Sequence, residues 1–222
     1  MQEGQKKGTS YFVLYLILFA LAGAWGVFFV PKGDIEVFIN QHHQPLLDNF
    51  FKYWTHLGDG LMFAVVAVLM LFIKYRYALI MLLSIIVQSV FVQGSKHLLF
   101  KGMLRPKAFL ADLGITDLHF VEGVTVNSFN TFPSGHTAAA FSIACLLAYI
   151  AKDRPYISMV CFVAALMVGF SRVYLMQHFY IDIYVGAVIG SFATVLVWHF
   201  FQSRYGQQEE GHWMSRSLLR RR

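Results

Sequence analysis

Residues 11–30 run for twenty positions without a charged side chain, about the length an α-helix needs to cross a ~30 Å hydrocarbon core. Residues 181–201 repeat the pattern, broken only by Asp182 at their start. A helix satisfies its own backbone polar groups where water is absent, so such stretches predict helices in a bilayer. Composition points the same way, because a chain that is 57% hydrophobic and 14% charged is too apolar for an ordinary soluble domain.

Four shorter apolar runs, residues 61–73, 77–92, 137–151 and 156–170, each fall below the ~20 residues of a full span. Polar residues extend each run at one end, and polar groups at membrane depth are tolerated where they line a protein cavity. This reading predicts an all-α integral membrane bundle of six transmembrane helices, with one domain over residues 1–222.

Positive charges near helix ends are retained on the cytoplasmic side. In a six-helix arrangement, Lys6, Lys7, Lys74, Arg76, Lys152, Arg154, Arg204, Arg216, Arg220, Arg221 and Arg222 share one side with both termini. Both termini are therefore expected in the cytoplasm, with residues 204–222 as a cytoplasmic tail and the motifs below at the outer interface. The formal charge of +6 does not indicate nucleic acid, because the basic residues form no stripe and no nucleic-acid motif; anionic lipid accounts for it better. The first run is too long for a signal-peptide core and lacks a small-residue cleavage site, which predicts a retained signal anchor. Cys145 and Cys161 fall inside apolar runs and read as packing residues.

Residues 31–57 mix apolar and charged side chains in the manner of an interfacial segment, and Pro45 is expected to split it. His42 and His43 lack a third ligand at recognisable spacing and read as solvated histidines. The long connection over residues 101–131 is a candidate lid or substrate-binding element. Its Asp112, Asp117, His119 and Glu122 read as a solvated face. Gly186 and Gly190 form a G-x-x-x-G suited to close helix approach.

Two strings carry chemistry. In the unbroken P-S-G-H of Pro133, Ser134, Gly135 and His136, a loop enters an apolar helix. Ser134 can cap that helix, its free amides and dipole suit an anion, and Gly135 leaves room for close backbone approach. His136 stands at the edge of such a pocket, able to protonate a leaving oxygen. In the second string, S-R-x5-H-x3-D, His178 and Asp182 lie four apart, which on a helix sets the carboxylate beside the imidazole. If Asp182 accepts the Nδ1 proton, Nε2 is free to attack. The planar fork of Arg172 suits the oxygens of a transferring phosphoryl group. An Asp–His pair or an interfacial arginine can each be purely structural; two ordered strings on the same predicted face favour chemistry.

These strings resemble the type-2 phosphatidic acid phosphatase superfamily, whose signature is K-x6-R-P, then P-S-G-H, then S-R-x5-H-x3-D. The second and third motifs match at every fixed position, and the likeness covers roughly residues 96–201. The first matches in part: Arg105 and Pro106 are present, but Leu98 stands at the lysine position, with Lys96 and Lys101 nearby. Lys96 needs two more residues between itself and Arg105 than the signature allows, Lys101 three fewer, and Lys96 is preferred because it ends an apolar run.

The resemblance implies a metal-independent, cofactor-free phosphatase. His178 would attack phosphorus, and His136 would protonate the departing oxygen and later activate water. Lys96, Arg105, Ser134, the Gly135 amide and Arg172 would bind the phosphoryl oxygens, and Asp182 would orient His178. A membrane transporter or silent lipid binder needs no nucleophile held by a carboxylate, and vanadium-dependent haloperoxidases of the same superfamily are typically soluble. Location implies an amphipathic envelope lipid in a bacterial inner membrane, approached from the periplasm: undecaprenyl diphosphate, phosphatidylglycerol phosphate, phosphatidic acid or lipid A phosphate.

Overall fold

The computed structural model describes residues 8–151, 154–205 and 212–219. The first uncharged stretch forms α1 (Gly8–Phe29), which ends just before Pro31 and a left-handed Gly33 at φ 105°. Two short helices follow, α2 (Asp34–Gln41) and α3 (Pro45–Trp54), and the break between them falls at Pro45 as the sequence predicts. Pro45 opens α3, where its missing N–H leaves no bond unmade. A 3₁₀ turn, Thr55–Gly58, and then Asp59 lead into α4 (Gly60–Ile73) and, past Lys74, α5 (Tyr75–Gly94). The chain continues as α6 (Pro106–Asp112), α7 (Gly135–Ile150), α8 (Pro155–Tyr174) and α9 (Tyr180–Tyr205). The fold is all-α.

The expectation of six membrane-crossing helices does not hold. Among the described residues, four helices are long and apolar enough to cross: Tyr11–Phe29, Tyr75–Leu99, Pro155–Tyr174 and Tyr180–Tyr205. A fifth is reached only by counting Pro45–Gly58 and Gly60–Ile73, bent by 54°, as one broken span. The reason is length: polar flanks extend the runs at 77–92 and 156–170 to spanning helices, but not those at 61–73 and 137–151. α4 has 14 residues, about 21 Å, and α7 has 16, about 24 Å, its start fixed by the Ser134 cap. The sidedness of loops and termini drawn from six spans falls with that count.

α7 instead forms the buried centre of the bundle, packed against α5, α8 and α9. Its Ala138, Ala139, Ala140, Ala144 and Ala148 are all buried and let neighbouring backbones approach. α9 meets it through the predicted glycine pair: a Cβ on Gly186 would lie 2.6 Å from the Ser134 carbonyl oxygen, and one on Gly190 would clash with the Ala138 carbonyl oxygen. Outside this core, Leu14, Leu18, Leu21 and Phe28 of α1, Val90 of α5 and Phe192 of α9 face outward and exposed. An outward apolar face on helices of spanning length marks an integral membrane protein.

The polar C-terminal segment is not simply a solvated tail. Residues 212–219 return to the bundle, where Met214 is buried, the Tyr75 N–H donates to the Arg216 carbonyl (2.9 Å) and the Leu218 N–H to that of Leu71 (3.0 Å). Lys6, Lys7, Lys152, Arg220, Arg221 and Arg222 lie outside the described residues.

Candidate active site

The two strings converge where α7 and α9 begin and α8 ends. Ser134 caps α7 as predicted, its Oγ accepting from the Thr137 N–H (3.4 Å) and hydroxyl (2.9 Å). The Ser134 N–H donates to the Asp182 carbonyl (3.0 Å), fastening one string to the other, and Gly135 opens the helix.

His178 Nδ1 lies 3.1 Å from Asp182 Oδ2, both side chains nearly sealed from solvent. The same oxygen accepts from the Phe179 N–H (2.9 Å) and from the Thr131 hydroxyl, so the carboxylate is fixed from three sides. This arrangement directs Nε2 away from Asp182. Burial, and then the cations Arg172, Arg105 and Lys96, hold the His178 imidazole well below its ordinary pKa, favouring the neutral form.

Arg172 is buried at the end of α8, with Nη1 donating to Thr55 Oγ1 (2.8 Å). Its buried Nε has no hydrogen-bond partner among the described residues. Arg105 is aimed by carbonyls, donating to Phe129 (2.9 Å) and Gln177 (2.8 Å), and it remains a cation although burial lowers its pKa. Lys96 is half-buried and close enough to interact electrostatically with Arg105, Arg172 and Asp182, whereas Lys101 is exposed. The chain absorbs part of the long interval to Arg105 in a π-helical turn, Ser95–Leu99, closed by the Phe100 N–H on the Ser95 carbonyl (2.9 Å). Such a turn takes up one residue more than an α turn.

His136 belongs to the same cluster, since it interacts electrostatically with Arg172 and Lys96, and its Nε2 lies 2.6 Å from Asp59 Oδ1. All eight sequence-predicted residues therefore gather at one end of the bundle. Sequence reasoning missed Thr55, Asp59, Thr131 and Gln177, which hold them. Gln177 sits at an unspecified position inside S-R-x5-H-x3-D and the other three lie outside both strings; the available signals were an acidic residue just before an apolar run and a threonine just before P-S-G-H. It also missed Glu36, which is buried on α2 and accepts from the Tyr180 N–H (2.7 Å) where α9 begins. Burial raises its pKa.

The 101–131 connection is anchored to α2 and α3. Asn40 exchanges bonds with the His119 backbone (2.7 and 2.9 Å), and His119 Nε2 pairs with Asp48 (2.9 Å). The His119 ring stacks on His43 at 3.7 Å, and Lys52 donates to the Glu122 carbonyl (2.7 Å). His43 and His119 thus pin the loop, where the sequence reads them only as solvated.

Comparison with known proteins follows the same residues. The PAP2 superfamily matches residues 76–205, more than half of the chain, and the chain belongs to that superfamily. It is similar to the crystal structure of Aquifex aeolicus LpxE, with TM-score 0.66 and 27% identity, over 78% of this chain and 97% of that one. It is also similar to the PAP2-type phosphatidylglycerolphosphate phosphatase from Bacillus subtilis, with TM-score 0.54 and 26% identity, over 89% of this chain and all of that one. A curated relative, the probable lipid phosphate phosphatase 4 of Arabidopsis thaliana, is 29% identical over 115 residues, 46% of this chain. That match spans 36% of the relative's own length.

Proposed function

We propose that the chain is a metal-independent lipid phosphatase working through a phosphohistidine on His178. The observation that carries this reading is the buried His178 held through Nδ1 by Asp182 among Lys96, Arg105 and Arg172, where burial and those cations favour its neutral form. Nε2 attacks phosphorus; the P–N bond forms as the P–O bond to the lipid breaks, and His136 gives its proton to the departing oxygen. Water then attacks phosphorus, the P–N bond breaks and the water's proton passes to His136. The three cations, Ser134 and the Gly135 amide stabilise the equatorial oxygens, supplying the charge that a metal supplies in other phosphoryl-transfer sites.

The substrate in this reading is an amphipathic envelope lipid whose tails stay in the bilayer. Lys74, Arg76, Arg204 and Arg216 cluster at the opposite end of the bundle, which supports a site facing the periplasm across a bacterial inner membrane. The test is phosphate release by detergent-purified protein, with EDTA present, from undecaprenyl diphosphate, phosphatidylglycerol phosphate, phosphatidic acid and lipid A. Release from at least one is expected; release from none contradicts the reading and favours a transporter or lipid binder.

Two expectations follow for kinetics. His136→Ala should slow turnover by about 10²-fold on alkyl phosphates and much less on aryl phosphates, whose oxyanions leave unaided. Equal loss on both counts against His136 as the acid. The acidic limb of kcat/KM, corrected for the substrate's own ionisation, should lie below pH ~6.5, because His178 must be neutral to attack and its pKa is depressed. A limb at or above that value contradicts the assignment.

A further inference from the structure

Asp59 occupies a place that neither motif string explains. Its Oδ1 lies 2.6 Å from His136 Nε2, and its Oδ2 lies 2.6 Å from Nδ1 of His56, a ring that is 63% exposed. The approach is built into the packing. A Cβ on Gly58, the preceding residue, would lie 2.6 Å from the His136 carbonyl oxygen and 2.8 Å from Val168 Cγ1, so only glycine lets this turn press against the first turn of α7. The same turn supplies Thr55, the partner of Arg172. One short segment, Thr55 to Asp59, thus holds both an oxygen-binding cation and the candidate general acid.

We propose that Asp59 is a positioning residue for His136: it fixes the imidazole through Nε2, leaves Nδ1 to serve the lipid leaving oxygen, and stabilises the protonated ring, with His56 holding the carboxylate's far oxygen. This inference rests on the phosphatase reading above.

The charges facing His136 make the sign definite. Burial, then Arg172 from α8 and Lys96 beyond α5, oppose a proton on the ring, and Asp59 favours it. Removing the Asp59 charge therefore makes the acid form easier to lose. A general acid must be protonated to work, so the alkaline limb of the rate moves to lower pH.

The test compares wild type with Asp59→Asn, Asp59→Glu, His56→Ala and His178→Ala on an alkyl lipid phosphate and an aryl phosphate across the pH range. Asp59→Asn is expected to lose about tenfold to a hundredfold on the alkyl substrate, less on the aryl one, with the alkaline limb about one pH unit lower. Asp59→Glu should restore part of that shift, and His56→Ala should produce a smaller one in the same direction. If Asp59→Asn does not fold, the exposed His56→Ala carries the comparison. An alkaline limb unchanged in both Asp59→Asn and His56→Ala, or equal loss on the two substrates, overturns the proposal. If His178→Ala is inactive while those variants behave as wild type, the phosphatase reading stands and this inference alone fails. Turnover retained by His178→Ala overturns both.

Discussion

Replacing His178 by alanine should reduce phosphate release by roughly 10⁵-fold, about 7 kcal/mol of barrier, while leaving the protein folded. The loss follows from chemistry, since no other described side chain is placed with one imidazole nitrogen held by Asp182 and the other left for phosphorus. Folding should survive because Asp182 keeps the Thr131 hydroxyl and the Phe179 N–H, so the carboxylate is not stranded. Thermal unfolding in detergent, measured beside the rate, separates the two effects. A variant with wild-type stability and a rate within tenfold of wild type removes His178 from the mechanism.

Gly190→Ala should be among the most damaging single-methyl additions in the chain. The new Cβ would clash with the Ala138 carbonyl oxygen and lie 2.7 Å from that residue's carbonyl carbon. The obstacle is backbone, so no rotamer relieves it, and α7 must move from α9. That movement strains the Ser142 hydroxyl bond to the Gly190 carbonyl (2.9 Å) and the Ser134 N–H bond to the Asp182 carbonyl (3.0 Å). The expected cost is about 3 kcal/mol or more, seen as a lower Tm and less monodisperse protein, with activity falling as the two strings separate. Gly94→Ala provides the contrast. A Cβ there meets nothing within 4 Å, and a helical glycine gains up to about 1 kcal/mol on such a change. Equal stability of the two variants contradicts the packing account.

Local order in the sequence explains what was legible. P-S-G-H places its residues at one helix start, so the Ser134 cap follows from spacing; S-R-x5-H-x3-D instead bridges the end of α8 and the start of α9, and His178 reaches Asp182 from the turn before α9 rather than from within a helix as the spacing suggests. The glycine pair of α9 was legible, like the cap, from its spacing. The membrane count was not, because hydropathy registers how apolar α7 is but not that its apolar faces meet other helices. A buried short helix and a spanning helix read alike until neighbours are known. Asp59 and Thr55 were invisible because their partners lie 77 and 117 residues away, and no periodicity spans that distance. The return of residues 212–219 onto the bundle rests on two backbone bonds and on one buried side chain, Met214, with no periodicity to mark it.

The most direct measurement of the central claim is rapid quenching of turnover on a lipid phosphate, with the phosphorylated residue located by mass spectrometry under alkaline conditions that preserve phosphohistidine. The account predicts phosphate on His178 during turnover and none in His178→Ala. Phosphate on another residue, or a wild-type protein that turns over with no phosphoenzyme at any quench time, would contradict it.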